Sequence, residues 1–385
     1  MRASSHAEKC KKMFTKISTS LFLSVFIWQS SAYSAVGQIF NSNFFQNPAE
    51  LSLIERAKVT AGSVFISPTL TFNGTYLGST GTAVSKTADM LPYLLIDYRW
   101  TDKFVVGINL TPSTYGHIAW PEDSVVSQGG TTTKLIYYRL GAQFSYQLID
   151  KLSLGAGVNL EYNRNIQVDF VIPNRGNQYN KARDYNTVAD MGLFYKINTK
   201  NFITVAAFSN VNTFAPGTSV LGTASTNNYA FLLLDAPVAY IGAQHRLNDK
   251  WFLEEKIYWS GWSIVKNVVF SNTITGTYVV PVDWKDILSY QLSSRYAVTE
   301  KVAVLGSVLY DDNAVNLSAN QIGYPVSSAL SLSGGLDLML NQNLSAQFIY
   351  TYGTFAPKAI IDNASGQGRV SANIQIGTIQ FVYKV

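Results

Sequence analysis

Between residues 136 and 163 the chain alternates apolar and polar side chains twice, with a short turn between the two runs. Ile136, Tyr138, Leu140, Ala142, Phe144, Tyr146 and Leu148 fall on one face, with Tyr137, Arg139, Gly141, Gln143, Ser145 and Gln147 opposite. After Ile149-Asp150-Lys151, Leu152, Leu154, Ala156, Val158, Leu160 and Tyr162 resume the apolar face. A period of two held this long is the signature of a β-strand, and no helix can satisfy it. The same alternation marks Leu288 to Val298 and Leu344 to Tyr352.

The turn recurs as well. "TDKF" at 101, "IDKL" at 149, "NTKNF" at 198, "NDKWF" at 248, "TEKV" at 299 and "NQNL" at 341 return about every 48 residues. The pattern predicts fourteen strands, near 57–72, 90–100, 103–115, 133–148, 152–167, 184–198, 201–212, 237–248, 251–264, 284–298, 302–312, 326–340, 343–356 and 370–385. Six short turns then lie on one side and seven longer loops, rich in Gly, Asn, Ser, Thr and Pro, on the other. That asymmetry describes an up-and-down barrel in an outer membrane, with both chain ends on the short-turn side. The predicted fold class is all-β: a 14-stranded antiparallel transmembrane β-barrel with a short N-terminal hatch segment in the lumen.

Alternation alone does not say which face is outside, because a soluble barrel alternates too. Three features favour apolar residues facing lipid. The opposite face is polar or small. The strands, at 11 to 16 residues, exceed the soluble mean of about 5–6. Trp100, Phe104, Phe202, Trp251, Phe252 and Tyr296 crowd the short turns, where a girdle at the headgroup boundary is expected.

Residues 1–34 read as a secretory signal: a basic start, an apolar run from Ile17 to Trp28, then "SSAYSA". Met13 is an alternative start. Removing this stretch takes away five of 29 Lys and Arg and one of 24 acids, leaving (29 − 5) − (24 − 1) = +1. The basic character therefore belongs to the leader, and a nucleic-acid partner loses its support. Cys10, the chain's one cysteine, leaves too, so thiol chemistry is not expected. Residues 35–56 are expected to form the hatch segment and 57–385 the barrel.

Several segments together resemble one family, the FadL-type long-chain fatty acid transporters of the outer membrane with their aromatic-hydrocarbon branch (OmpP1/FadL/TodX). They are "QNPAELS" at 46–52, "WFLEEKIYWSGWSIVKNV" at 251–268 with Trp259, Trp262 and Ser263, and 282–315 with Trp284, Lys285, Asp286, Tyr296, Gly306, Tyr310 and Asp311. Pro325 and the strand carrying Gly334-Gly335 also fit. The resemblance spans most of residues 46–385. It implies a fourteen-stranded barrel plugged by an N-terminal hatch. Hydrophobic cargo would be captured by outer loops, held in an apolar lumenal pocket and released sideways at a kink in strand 3. Asn47, Pro48 and Ala49 would belong to the hatch. Only about a dozen residues separate the leader from Asn47, so the hatch is shorter than the family's usual one. In strand 3, Pro112 removes a ladder donor and Gly116 loosens the backbone; these two are gating candidates. The competing reading is that Pro112 merely ends the strand.

Chemistry is sparse. His117, expected in a solvated loop, and His245, beside a turn, are the histidines left after the leader, and neither G-x-S-x-G nor a phosphate loop occurs. Neither an enzyme, a cofactor nor a metal site is expected. Candidate ligand contacts are Arg295, Arg139 and Lys256 on polar faces, where a cation would suit a fatty acid carboxylate. A structural alternative pairs Arg139 with Glu161. Phe231 and Leu233, in "FLLL", would offer an apolar landing site or begin a lipid-facing strand. The expected function is passive uptake of hydrophobic molecules, with long-chain fatty acids as cargo, by a monomer in contact with outer-membrane lipid. The alternatives are an aromatic hydrocarbon transporter, an adhesin or structural barrel, and a lipid hydrolase.

Overall fold

The structure is a computed structural model that describes residues 47–385 apart from Asp283. The expected leader and the expected hatch residues before Asn47 lie outside the described residues. Fourteen antiparallel staves close on themselves. They are β1 (Ala57–Tyr76), β2 (Ser79–Lys86 and Asp89–Arg99), β3 (Phe104–Ala119), β4 (Thr132–Ile149), β5 (Leu152–Ile172), β6 (Gly176–Lys196) and β7 (Asn201–Phe208 and Val211–Leu221). There follow β8 (Ala224–Asp235 and Val238–Arg246), β9 (Trp251–Ser260 and Asn267–Thr273), β10 (Gly276–Pro281 and Ile287–Ala297) and β11 (Val302–Asp311). The last three are β12 (Ala329–Met339), β13 (Leu344–Phe355 and Ala359–Asn363) and β14 (Gly366–Lys384). Closure comes from β1 pairing with β14, from Lys58↔Lys384 to Tyr76↔Gly366.

The two faces are now assigned. Leu140, Phe144, Tyr146, Leu154, Val158 and Leu160 are exposed, while Arg139, Gln143, Ser145, Asn159 and Glu161 are buried. Across β4 and β5 the wall is apolar outside and polar inside, the reverse of a soluble barrel, while the inner faces of β1, β2 and β14 carry an apolar cluster that includes Phe72, Leu91 and Ile374. Closure leaves no open edge in lipid. The six short turns fall where the alternation places them, between β2 and β3, β4 and β5, and on to β12 and β13.

Several of the seven loops on the other rim are instead strand extensions. β5 and β6 run on to a turn at Asn174, and β7–β8 and β9–β10 close at Gly222 and Gly276, each with positive φ. These extensions lack the clean alternation of the membrane zone: their tips are polar, while Phe231, Leu233 and Phe270 on β8 and β9 point inward. Two true loops remain, 120–131 and 312–328, and both fold inward. Trp120 Nε1 donates to Ile322 O at 3.1 Å, tying the two loops into a roof, and Thr133 Oγ1 on β4 donates to Gly323 O at 2.7 Å, tying that roof to the wall.

Two ring positions differ from expectation. Trp100, Trp251 and Tyr296 are exposed at the girdle, but Phe202 and Phe252 are buried. Phe202 stacks on Phe194 and packs with Ala49 inside the barrel. Each is the second residue after its turn's lysine, one step beyond the outward position that Trp251 takes, which turns it inward.

Candidate functional site

The lumen is built in three layers. At the bottom, Pro48–Leu53 forms a short 3-10 helix. Pro48 sits in its first turn, where its missing N–H costs nothing. Asn47 caps it, its Oδ1 accepting from Ala49 N at 2.9 Å. The Asn47 amide then donates to the wall: Thr204 Oγ1 at 2.7 Å, Leu193 O at 3.0 Å and Val205 O at 3.1 Å. Ser145 Oγ donates to Ala49 O at 3.1 Å, and Arg99 holds Ile54 O and Ser52 O, each at 2.6 Å. Glu50 accepts from Thr204 at 2.7 Å. Burial lifts its carboxyl above the ordinary range, against the pull of nearby Lys256. Asn47, Pro48 and Ala49 therefore fasten a plug.

Above the plug lies a polar floor. Gln143 Nε2 and Asn159 Nδ2 donate to the two oxygens of Asp190 at 2.7 and 2.6 Å. Arg139 Nε donates to Glu161 Oε1 at 3.1 Å, and Ser113 bonds the same carboxylate. The cavity left among these groups is only about 10 Å³. Arg139 and Glu161 offset each other here as an ion pair, while Asp190 is held by the two amides.

Above the floor is a cavity of about 420 Å³, lined mostly by apolar and aromatic side chains. Phe231 and Leu233 line it with Phe270, and Trp262 and Trp284 meet edge to face with centroids 5.1 Å apart. The roof loops contribute Val315 and Tyr324. Phe231 and Leu233 do begin their strand early, as one reading held, but they face this cavity and not lipid. The acidic groups lining it are Glu161, Asp169 and Asp235, and no Lys, Arg or His is among the described residues that line it.

The three candidate cations sit elsewhere. Arg139 lies in the floor. Lys256 Nζ is 3.2 Å from Glu254 and stands over the Tyr240 ring, beside the plug. Arg295 Nε donates to Asp337 Oδ2 at 3.1 Å near the short-turn rim. The Arg139–Glu161 pair across the hairpin is thus present.

Pro112 does not end β3. The strand runs to Ala119, but its pairing with β4 skips a residue between Pro112 and Thr114, leaving Ser113 as a bulge. On the other side, the β2–β3 ladder stops at Leu94↔Leu110. Gly116 lies against the Tyr324 ring: a Cβ there would come within 3.0 Å of it. His117 is on this strand and not in a loop; its Nδ1 donates to Asp89 at 2.6 Å.

Sequence reasoning missed Asp89 and Tyr324. Asp89 was legible only as an acid in register with the buried face of β2; its partners come from other strands. Tyr324 sits in a loop without periodicity.

Comparison with known proteins gives a consistent result. Residues 30–384 match the family model described as outer membrane protein transport protein (OMPP1/FadL/TodX). The chain is 22% identical over 376 residues to the long-chain fatty acid transport protein of Escherichia coli K12, covering 83% of this chain and 84% of that one. Its fold is similar to a Pseudomonas aeruginosa FadL homologue, with TM-score 0.78 and 17% identity over 92% of this chain and 97% of the other. It is also similar to the Pseudomonas putida toluene transporter TodX, with TM-score 0.70 and 16% identity over 90% and 94%.

Proposed function

Because this chain belongs to the OMPP1/FadL/TodX family of outer membrane transport proteins, we propose that it takes up uncharged hydrophobic molecules passively, hydrocarbons above all. The cavity carries this reading. A dry cavity of about 150 Å³ already holds benzene, and this one, at about 420 Å³, has room for more than one ring's worth of cargo. Each CH₂ moved out of water gains about 0.8 kcal/mol, so capture needs no fuel. A carboxylate entering the cavity would meet Asp169 and Asp235, beside a Glu161 already paired with Arg139, with no lining cation to receive it. A neutral molecule meets no such repulsion.

Straight descent is blocked by the polar floor and the plug. The weak place in the wall is the β2–β3 seam above Leu94↔Leu110, and cargo leaves sideways there.

A second reading, long-chain fatty acids, draws on the name of the Escherichia coli relative. Titrating the purified protein with p-xylene and with oleate at pH 8 separates the two, using the emission of Trp262 and Trp284. Under the first reading p-xylene shifts the emission and oleate does not. Tighter binding of oleate in this cavity would reverse the assignment. Uptake of labelled p-xylene by cells with and without the gene tests transport itself; equal rates would leave a non-transporting barrel.

A further inference from the structure

The β2–β3 seam is held by side chains where its backbone ladder ends. Leu94↔Leu110 is the last backbone pair, and the sum of the paired numbers is 204. Three side-chain bridges continue that register. Ala119 N donates to Ser85 Oγ at 2.8 Å. Thr87 Oγ1 donates to His117 O at 3.0 Å. Tyr115 OH donates to Asp89 Oδ2 at 3.1 Å. The strands thus stay in step where no backbone ladder joins them, beside the bulge that Ser113 forms against β4.

Asp89 makes the densest of these contacts. Besides Tyr115, His117 Nδ1 donates to Oδ2 at 2.6 Å, and Lys134 Nζ lies 3.1 Å from Oδ1. One carboxylate therefore ties β2 to β3 and to β4. Its side chain is 13% exposed, and those of His117 and Lys134 are 17% and 25% exposed, so the contacts are partly shielded from water. Behind them a small cavity of about 30 Å³ is lined by Leu70, Tyr115, Gly116, His117 and Tyr324. Tyr324 also lines the large cavity and so forms the partition between cargo and seam.

We infer that Asp89 is the latch of this seam: breaking its contacts with Tyr115, His117 and Lys134 lets the upper part of β3 swing from β2 and releases cargo past Tyr324. The latch rests on the sideways exit proposed above. A charge-assisted hydrogen bond is strong enough to shift a two-state opening by about tenfold or more.

The test uses intact cells whose outer membrane carries the protein or a variant, with labelled p-xylene as cargo. Asp89→Asn and Asp89→Ala are expected to raise the initial uptake rate by about tenfold, with p-xylene affinity of the purified protein unchanged. Uptake at the wild-type rate overturns the latch. If the Asp89 variants lose the heat-modifiable gel mobility of a folded barrel, Lys134→Met with His117→Ala leaves the acid in place and removes two partners; the same acceleration is expected, and its absence overturns the proposal. A Ser85→Cys/Ala119→Cys pair probes the route separately. Oxidation is expected to stop uptake and reduction to restore it. Uptake that continues through the oxidised seam overturns the sideways route itself. A blocked seam with silent Asp89 variants overturns only the latch.

Discussion

Gly155 on β5 pairs with Gly192 on β6, and the room left by their missing side chains holds the plug. A Cβ on Gly155 would lie 2.1 Å from Ala49 N, and one on Gly192 would lie 1.7 Å from Asn47 Oδ1. The Asn-Pro-Ala turn is thus seated by shape as much as by hydrogen bonds.

Gly192→Ala is therefore expected to push Asn47 out of its socket, at a cost of about 1–3 kcal/mol typical of overpacking. Gly306, whose Cβ would meet nothing within 4 Å, serves as the control. Planar-bilayer recordings should show larger or noisier conductance for Gly192→Ala and none for Gly306→Ala.

Seating of the plug should depend on pH through Glu50. Burial raises its carboxyl above the ordinary value of 4.5. A raised acid binds its proton more tightly in the folded state, so this contribution is complete below 4.5 and fades as pH climbs past the raised value. Conductance is expected to rise with pH in the wild type. Glu50→Gln should flatten that response; an unchanged profile in the variant would place the titration elsewhere.

Removing one partner of the floor's buried pair should be costly. Arg139→Ala leaves Glu161, which is 1% exposed, without its cation, a change worth about 3–5 kcal/mol. Arg139→Met combined with Glu161→Gln is expected to recover most of that loss. Reversible guanidinium unfolding in lipid vesicles measures both.

The wall's outer face sets a depth-dependent expectation. Leu160 and Val298 are both exposed, but Leu160 is mid-strand and Val298 adjoins a short turn. Leu160→Arg should destabilise by about 2–4 kcal/mol and Val298→Arg by about 0–1. Equal costs would mean that lipid does not cover Leu160.

The barrel could be read directly from the chain. In a membrane every backbone group must find a partner within the wall, which forces closed strands, and the two solvents on either face force a period of two. Strand number, the six short turns and the outward face of Leu140 to Leu160 all follow from that. What the tertiary structure alone decided is how the inner faces meet. Phe231 belongs to the cavity because β8 and β9 bring it against Phe270 at 5.6 Å between ring centroids. Arg295 is matched to Asp337 across 42 residues of chain. Asp89 reaches His117 and Lys134 across 28 and 45 residues of chain. Alternation records only which solvent a side chain faces. Which side chains share the lumen depends on the register and curvature of the whole closed sheet, and no local stretch of sequence contains that.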